Sequence, residues 1–451
     1  MNPLNAVEQN EILGNIHGAP DRFPYRYSPF VPRWFFESFR AEGLTLSQSI
    51  WGAHSYLLKY LFGTIGGTKE VQDYFSRQNR LYPLLQTPAI PPAERLKLGL
   101  VGDIMWIRDQ WGSFLSGGVK SQLESFDAVF GNLESPVAKS FAVPEFFYDY
   151  FSYNSHPQLL QSFQSGQQNI LSCVSLANNH VYDRGEHGAM ETAELLSQLG
   201  IHYSGIRPLG HSAVVKFSRK GFKLGFYAAT FGLNQSLNVI SENCAVNILP
   251  GLAPRLDPHA PWPELENALR EMQDCDVRII YLHWGHEFED YPDPLLMQIA
   301  RRIVALGADV VVGAHCHRIQ PSETLFLNGY EKQFGDQIPA DFCFSTPDGR
   351  PRKAFVAYSL GNFLNTMLTF PCKLGILRSL QLWRNSSGKC DWSLGDSTLV
   401  WNQTVGKRRL VALPVSAHER HELEFWNHKL EWKLKKIQHR LDLAPYRVER
   451  K

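Results

Sequence analysis

Six apolar runs in this chain end in residues able to hold a metal or move a proton. Run 96–102 ends in Asp103, run 127–131 in Asn132 and Glu134, and run 170–176 is followed by Asn178, Asn179 and His180. Run 277–282 ends in His283, run 308–313 leads to His315 and His317, and run 354–360 to Asn362. Any one of these has a plain structural reading. An Asp at a strand end caps a following helix, and a single histidine sits hydrogen-bonded in many cores. Six together, at what reads as the carboxyl edge of one sheet, point to a metal site. The donors are carboxylates, amide oxygens and imidazoles without thiolate, a set suited to Mn²⁺, Fe²⁺ or Zn²⁺. They are too many for one tetrahedral ion and suit two divalent ions sharing a bridging carboxylate. Such a pair activates water and stabilises the attacking and leaving oxygens of an in-line displacement. If His315 and His317 lie on one strand, the two-residue period puts both rings on one side and Cys316 on the other, as packing.

The elements that must carry these groups are strand–loop–helix units, which place chemistry at the carboxyl ends of strands. Run 170–176 reads as a buried strand. The helix after it has apolar positions at Met190, Leu195, Leu196 and Leu199 and a stop at Gly200. Segments 213–217 and 222–229, joined around Lys220 and Gly221, read as a hairpin. The polar insert 331–352 reads as a surface loop. Residues 1–93 form a helical N-terminal extension that ends in the proline-rich linker 87–94. A domain spans 94–385, and 386–451 is a C-terminal extension that begins strand-rich and ends in an amphipathic helix. That helix carries Leu423, Trp426, Leu430, Leu434, Ile437 and Leu441 on one stripe, which docks on the body or, alternatively, meets a membrane surface or a partner. Segment 63–69 has the glycines of a phosphate loop but not their order, and no strand precedes it.

Composition narrows the classes. The 451 residues are 44% hydrophobic with a net charge of +1, ample for a core and without the basic footprint of nucleic-acid binding. Seven scattered cysteines, none in a Cys-x-x-Cys pair, argue against a disulfide framework or a structural zinc. No basic stretch followed by an apolar run opens the chain. The apolar segment 50–65 is too short to span a bilayer. The chain therefore reads as cytoplasmic, without a transmembrane segment.

At the same residues the chain resembles the CapA family of capsule (poly-γ-glutamate) biosynthesis proteins, whose domain is similar to calcineurin-like metallophosphoesterases. The pieces are Gly102-Asp103-Ile104-Met105; Asn132-Leu133-Glu134; Ala177-Asn178-Asn179-His180 with Asp183 and Gly185; His283-Trp284-Gly285 with Glu287; Gly313-Ala314-His315-Cys316-His317 with Gln320-Pro321; and Tyr358-Ser359-Leu360-Gly361-Asn362-Phe363. Together they cover residues 96–382.

The resemblance implies an α/β (α+β) fold, a metallophosphoesterase-like β-sandwich flanked by helices. It implies Asp103 as first ligand and Glu134 as bridging carboxylate, with Asn132 the alternative there. Asn179 would bind through its amide oxygen, and His283, His315 and His317 would complete the metal set. His180 would be general acid or oxyanion stabiliser, with Asn178 and Asp183 beside it as catalytic candidates. Three residues or features depart from the pattern. Met105 stands where the superfamily has the histidine of Asp-x-His, Cys316 stands where the family has proline, and the membrane anchor common in the family is not seen. The implied activity is metal-dependent hydrolysis of a phosphoester or amide-type bond in an anionic small molecule or polymer. The alternative is a non-catalytic accessory that binds an anionic polymer or a synthase partner. Arg184, Arg318, Arg352 and Lys373 are candidates for neutralising such an anion.

Overall fold

The computed structural model describes residues 68–85, 95–105, 114–144, 152–234, 237, 240–253, 255–367, 369–405 and 409–414. The N-terminal run 1–67 and the helix expected after residue 419 lie outside the described residues. The strands used below are β1 (Arg95–Met105), β2 (Ala128–Glu134), β3 (Leu171–Ser175), β4 (His202–Ser204), β5 (Val215–Arg219), β6 (Phe222–Thr230), β7 (Val277–His283) and β8 (Val310–Ala314). They continue with β9 (Ser322–Leu327), β10 (Arg352–Ala357), β11 (Asn362–Leu364), β12 (Leu374–Arg384), β13 (Cys390–Leu394), β14 (Thr398–Val405) and β15 (Arg409–Pro414).

The apolar runs do not share one sheet, as their common pattern suggests, but two. The nine-stranded sheet runs β15-β14-β12-β1-β2-β3-β4, with β11 on β1 and β13 on β12. The seven-stranded sheet runs from the short strand Cys343–Phe344 through β9-β10-β8-β7-β6-β5. Strands β1 to β4 are mutually parallel, as are β6, β7, β8 and β10, so each sheet has one edge at which carboxyl ends gather. Both faces of β1 are buried, which explains its nearly continuous apolar run. Leu98, Leu100 and Phe130 pack toward Phe226 and Ile280 of the other sheet, whereas Val101, Ile104 and Leu133 pack with Leu196. The hydroxyl of Tyr281 donates to the carbonyls of Val101 (3.3 Å) and Phe130 (3.1 Å), tying the sheets together. The α/β sandwich flanked by helices is therefore the observed architecture.

Helices α1 (Lys69–Asn79), α2 (Gly117–Glu124), α3 (Gly185–Gln198), α4 (Pro263–Glu271) and α5 (Pro294–Ala305) flank the sheets. Asp293 caps α5 by accepting from Leu295 N at 2.8 Å, with Pro294 at the first position where no N–H is needed. The hairpin β5–β6 forms as its sequence suggests. The insert after Glu331 does not stay at the surface: Ile338, Phe342 and Phe344 are buried in the main core. Helix α1 docks through Tyr74, whose hydroxyl donates to Glu323. Tyr358 (2.5 Å) and Arg301 (3.2 Å) also donate to that buried carboxylate. Among the described residues no helix is long and apolar enough to cross a membrane. All seven cysteines are free thiols.

Candidate metal centre

The two carboxyl edges meet, and the expected donors meet with them. On the first sheet, register sets Asp103 opposite Asn132 and Asn362, and Met105 opposite Glu134. The approach of β1 to the chain before β11 requires glycine: a Cβ on Gly102 would lie 1.9 Å from the carbonyl oxygen of Gly361. With that gap closed, Asp103 N donates to the same carbonyl at 3.0 Å. Asn132 Nδ2 donates to Asp103 Oδ1 at 2.8 Å, so the amide of Asn132 steadies the first carboxylate.

The loop from Asn178 to Asp183 follows β3. Asn178 uses both ends of its amide on backbone, donating to Leu133 O (2.8 Å) and accepting from His180 N (3.1 Å). Asn179 donates through Nδ2 to Asn234 Oδ1 at 2.9 Å, which leaves its oxygen 2.9 Å from His283 Nε2. His180 Nδ1 lies 2.6 Å from Asp183 Oδ2, and its ring stacks on Tyr153 at 3.7 Å and 8°.

On the second sheet His283 closes β7, with Nε2 3.5 Å from Glu134 Oε1. Strand β8 stops at Ala314, so His315 and His317 are not on a strand, contrary to the period-two reading. Both have left-handed backbones, φ 86° and 56°, a conformation that costs a non-glycine residue about 1–3 kcal/mol. The turn is held from outside. Phe288 N donates to Cys316 O (2.8 Å), and the Cys316 thiol donates to Glu289 O (2.9 Å). Cys316 therefore pins two loops together, a more specific role than packing behind a strand. The result places the His315 ring 4.6 Å from that of His283 and 6.1 Å from that of His317. His317 Nδ1 is 3.1 Å from Asn362 Oδ1 and 3.4 Å from Asp103 Oδ2, and its Nε2 is 3.7 Å from Glu134 Oε1. Burial pushes the His317 imidazolium pKa down, but Asp103, Glu287 and Asn362 outweigh it and hold the pKa above the ordinary histidine value.

The donors fit a divalent ion. Three overlapping trios each offer ligand atoms within 4.8 Å of one another: Glu134–His283–His315, Asp103–Glu134–His317 and Glu287–His315–His317. Glu134 belongs to two trios, the position a shared carboxylate must take. Asn132 Oδ1 is buried without a hydrogen-bond partner among the described residues, on the side chain whose Nδ2 donates to Asp103. Which of these residues bind metal, and how many ions, is taken up as a proposal below.

Two of the four candidate cations are committed elsewhere. Arg318 is buried against Asp290 at 2.9 Å, and Arg352 against Asp348 and Asp309 at 2.9 and 3.3 Å. Neither is a ready anion clamp. Arg184 donates to Ser152 O at 3.0 Å, and Lys373 is half-buried, its pKa lowered by that burial. Tyr153, Asn234, Phe231 (its ring 4.9 Å from that of His315) and the ligating potential of Glu287 were not legible as site features. Only Glu287 carried a signal, its place four residues after His283.

The chain is similar to the capsule biosynthesis protein CapA of Bacillus anthracis, 25% identical over 257 residues, 52% of this chain and 59% of that protein. It is 27% identical over 237 residues to the PGA biosynthesis protein CapA of Bacillus subtilis (strain 168), 51% of this chain and 59% of that protein. A probable polyglutamine synthesis accessory protein of Mycobacterium tuberculosis (strain CDC 1551 / Oshkosh) is 24% identical over 184 residues, 38% of this chain and 45% of that one. The chain thus spans less than two thirds of the length of these curated relatives. Residues 97–367, more than half of the chain, match the model of the family described as bacterial capsule synthesis protein PGA_cap, and the chain belongs to that family.

Proposed function

We propose that this chain is a metal-dependent hydrolase of a phosphoester or amide-type bond in an anionic substrate, serving capsule or poly-γ-glutamate-type polymer metabolism. The observation that carries the reading is the set of overlapping donor trios that share Glu134, His315 and His317. Glu134, His283, His315 and the Asn179 oxygen would hold one ion, and Asp103, Glu134 and His317 a second. Bound divalent metal would supply Lewis acidity and a water activated near neutral pH. The protein's own contribution is the dyad beside it. With the Nδ1 proton held toward Asp183, Nε2 of His180 is the atom that exchanges a proton with a leaving group. Tyr153 covers one face of that ring and fixes its plane. Asn234 touches both units, accepting from Asn179 while its Nδ2 lies 3.2 Å from His180 Nδ1.

A non-catalytic accessory that binds an anionic polymer or a synthase is the second reading, favoured by the mycobacterial relative's being named a probable polyglutamine synthesis accessory protein. Elemental analysis paired with a screen of aryl phosphomonoesters, phosphodiesters and γ-glutamyl amides in Mn²⁺ separates the two. Turnover with a loaded site supports the hydrolase. A loaded site with no turnover on any of the three classes supports the accessory.

A further inference from the structure

The trio Asp103–Glu134–His317 offers three protein donors, and the next residue on β1 that could reach the centre from this side is Met105, a thioether. Met105 packs instead with Tyr153, Val143 and Met367. A Mn²⁺, Fe²⁺ or Zn²⁺ ion takes at least four ligands, with carboxylate and imidazole preferred in a site of this kind. One further carboxylate lies beside the histidines without belonging to a strand end. Glu287 Oε1 is 4.0 Å from His315 Nδ1, and Glu287 forms a donor trio with His315 and His317.

The backbone holds Glu287 there by construction. Its loop turns at Gly285 (φ 73°) and Phe288 (φ 64°), the second a left-handed turn at a bulky residue. The loop is then fastened to the His315–His317 loop at four points. Phe288 N donates to Cys316 O at 2.8 Å, and the Cys316 thiol to Glu289 O at 2.9 Å. Gln320 Nε2 donates to the same Glu289 carbonyl at 3.1 Å, and Arg318 pairs with Asp290 at 2.9 Å while both are buried. Loops fastened in this way move as one body, so the carboxylate of Glu287 keeps a fixed place relative to both imidazoles.

We propose that Glu287 is a metal ligand of this centre, acting with His315 and His317. This rests on the metal reading of the preceding subsection and goes beyond it in assigning a ligand from outside the strand ends. The Glu287 carboxylate also adds negative charge next to His317, which favours a divalent cation over a monovalent one.

The test is metal stoichiometry and affinity of the full chain, by elemental analysis and Mn²⁺ titration, for wild type, Glu287→Gln and Glu287→Asp. The first variant is nearly isosteric, and the second keeps the charge but shortens the reach. Circular dichroism confirms that each is folded. Wild type is expected to bind two ions and both variants to bind at least one of them tenfold or more weakly. A wild-type protein with two ions, both held within threefold of wild-type affinity by a folded variant, overturns the role of Glu287 and leaves the metal reading standing. One ion in wild type, retained unchanged by the variants, does the same. No ion in wild type overturns both.

Discussion

Nδ1 of His180 and Oδ2 of Asp183 stand 2.6 Å apart, three residues along one loop, and Tyr153 braces both. The Tyr153 ring stacks on the imidazole, and its backbone N–H donates to the same Asp183 oxygen at 2.5 Å. Asp183 holds the Nδ1 side of the imidazole and Tyr153 covers one face of the ring, and on the proposed reading Nε2 is the nitrogen that exchanges protons.

Replacing His180 by alanine should leave fold and metal content intact and lower turnover by about 10²–10⁴, the range for lost general acid–base help. Asp183→Asn should lower it less, because the imidazole remains. Metal analysis beside steady-state rates reads both. Robust turnover unchanged in His180→Ala would show that the proton comes from elsewhere.

His315→Ala and His317→Ala should each reduce metal occupancy while the protein stays folded, since both residues lie beyond the end of β8. Alanine keeps the Cβ, so the left-handed strain at either position persists, and neither metal-free variant should gain stability over metal-free wild type. Full metal retention by one variant would remove that histidine from the ligand set.

Metal affinity should fall as pH falls. His317 keeps its proton to higher pH than an ordinary histidine, burial opposing and Asp103 and Glu287 prevailing, and a metal must displace that proton. Apparent affinity should therefore drop about tenfold per unit once pH lies below the His317 value. In the metal-free protein the same shift stabilises the fold below the unfolded histidine pKa and is lost as pH rises through the folded one. Chelator-competition titrations at pH 6, 7 and 8 check the first statement. A flat profile contradicts it.

Glu323→Ala should destabilise the protein by about 3–5 kcal/mol, because it strands buried Arg301 without its counter-charge. The hydroxyls of Tyr74 and Tyr358 lose their acceptor in the same step. Helix α1 should loosen first, as Tyr74 is one of its two buried polar anchors beside Gln78, which pairs with the Thr324 backbone. A urea midpoint within error of wild type would argue that the helix docks by its apolar contacts and Gln78 without the Glu323 cluster.

The sequence by itself marked most of the candidate donors and the apolar runs they follow, but it read the loop that carries His315 and His317 as strand. An apolar run and the polar residue that ends it are local facts, and burial on both faces makes such runs continuous. It also showed the hairpin β5–β6 and the family, whose motifs are short and ordered along the chain. Tertiary structure decided that the runs divide between two sheets, since Asp103 and His283 end strands of the same texture and only pairing assigns them. It decided the left-handed turns at His315 and His317, which follow from the hydrogen bonds of Cys316 to a distant loop and not from local preference. It brought Tyr153 and Asn234 to the His180 loop across long sequence separations, and it set Glu287 beside His315. It also took Arg318 and Arg352 away, because a buried guanidinium must find its carboxylate wherever the fold has placed one. Residue types record what chemistry is affordable; packing over long range selects which of them share a site.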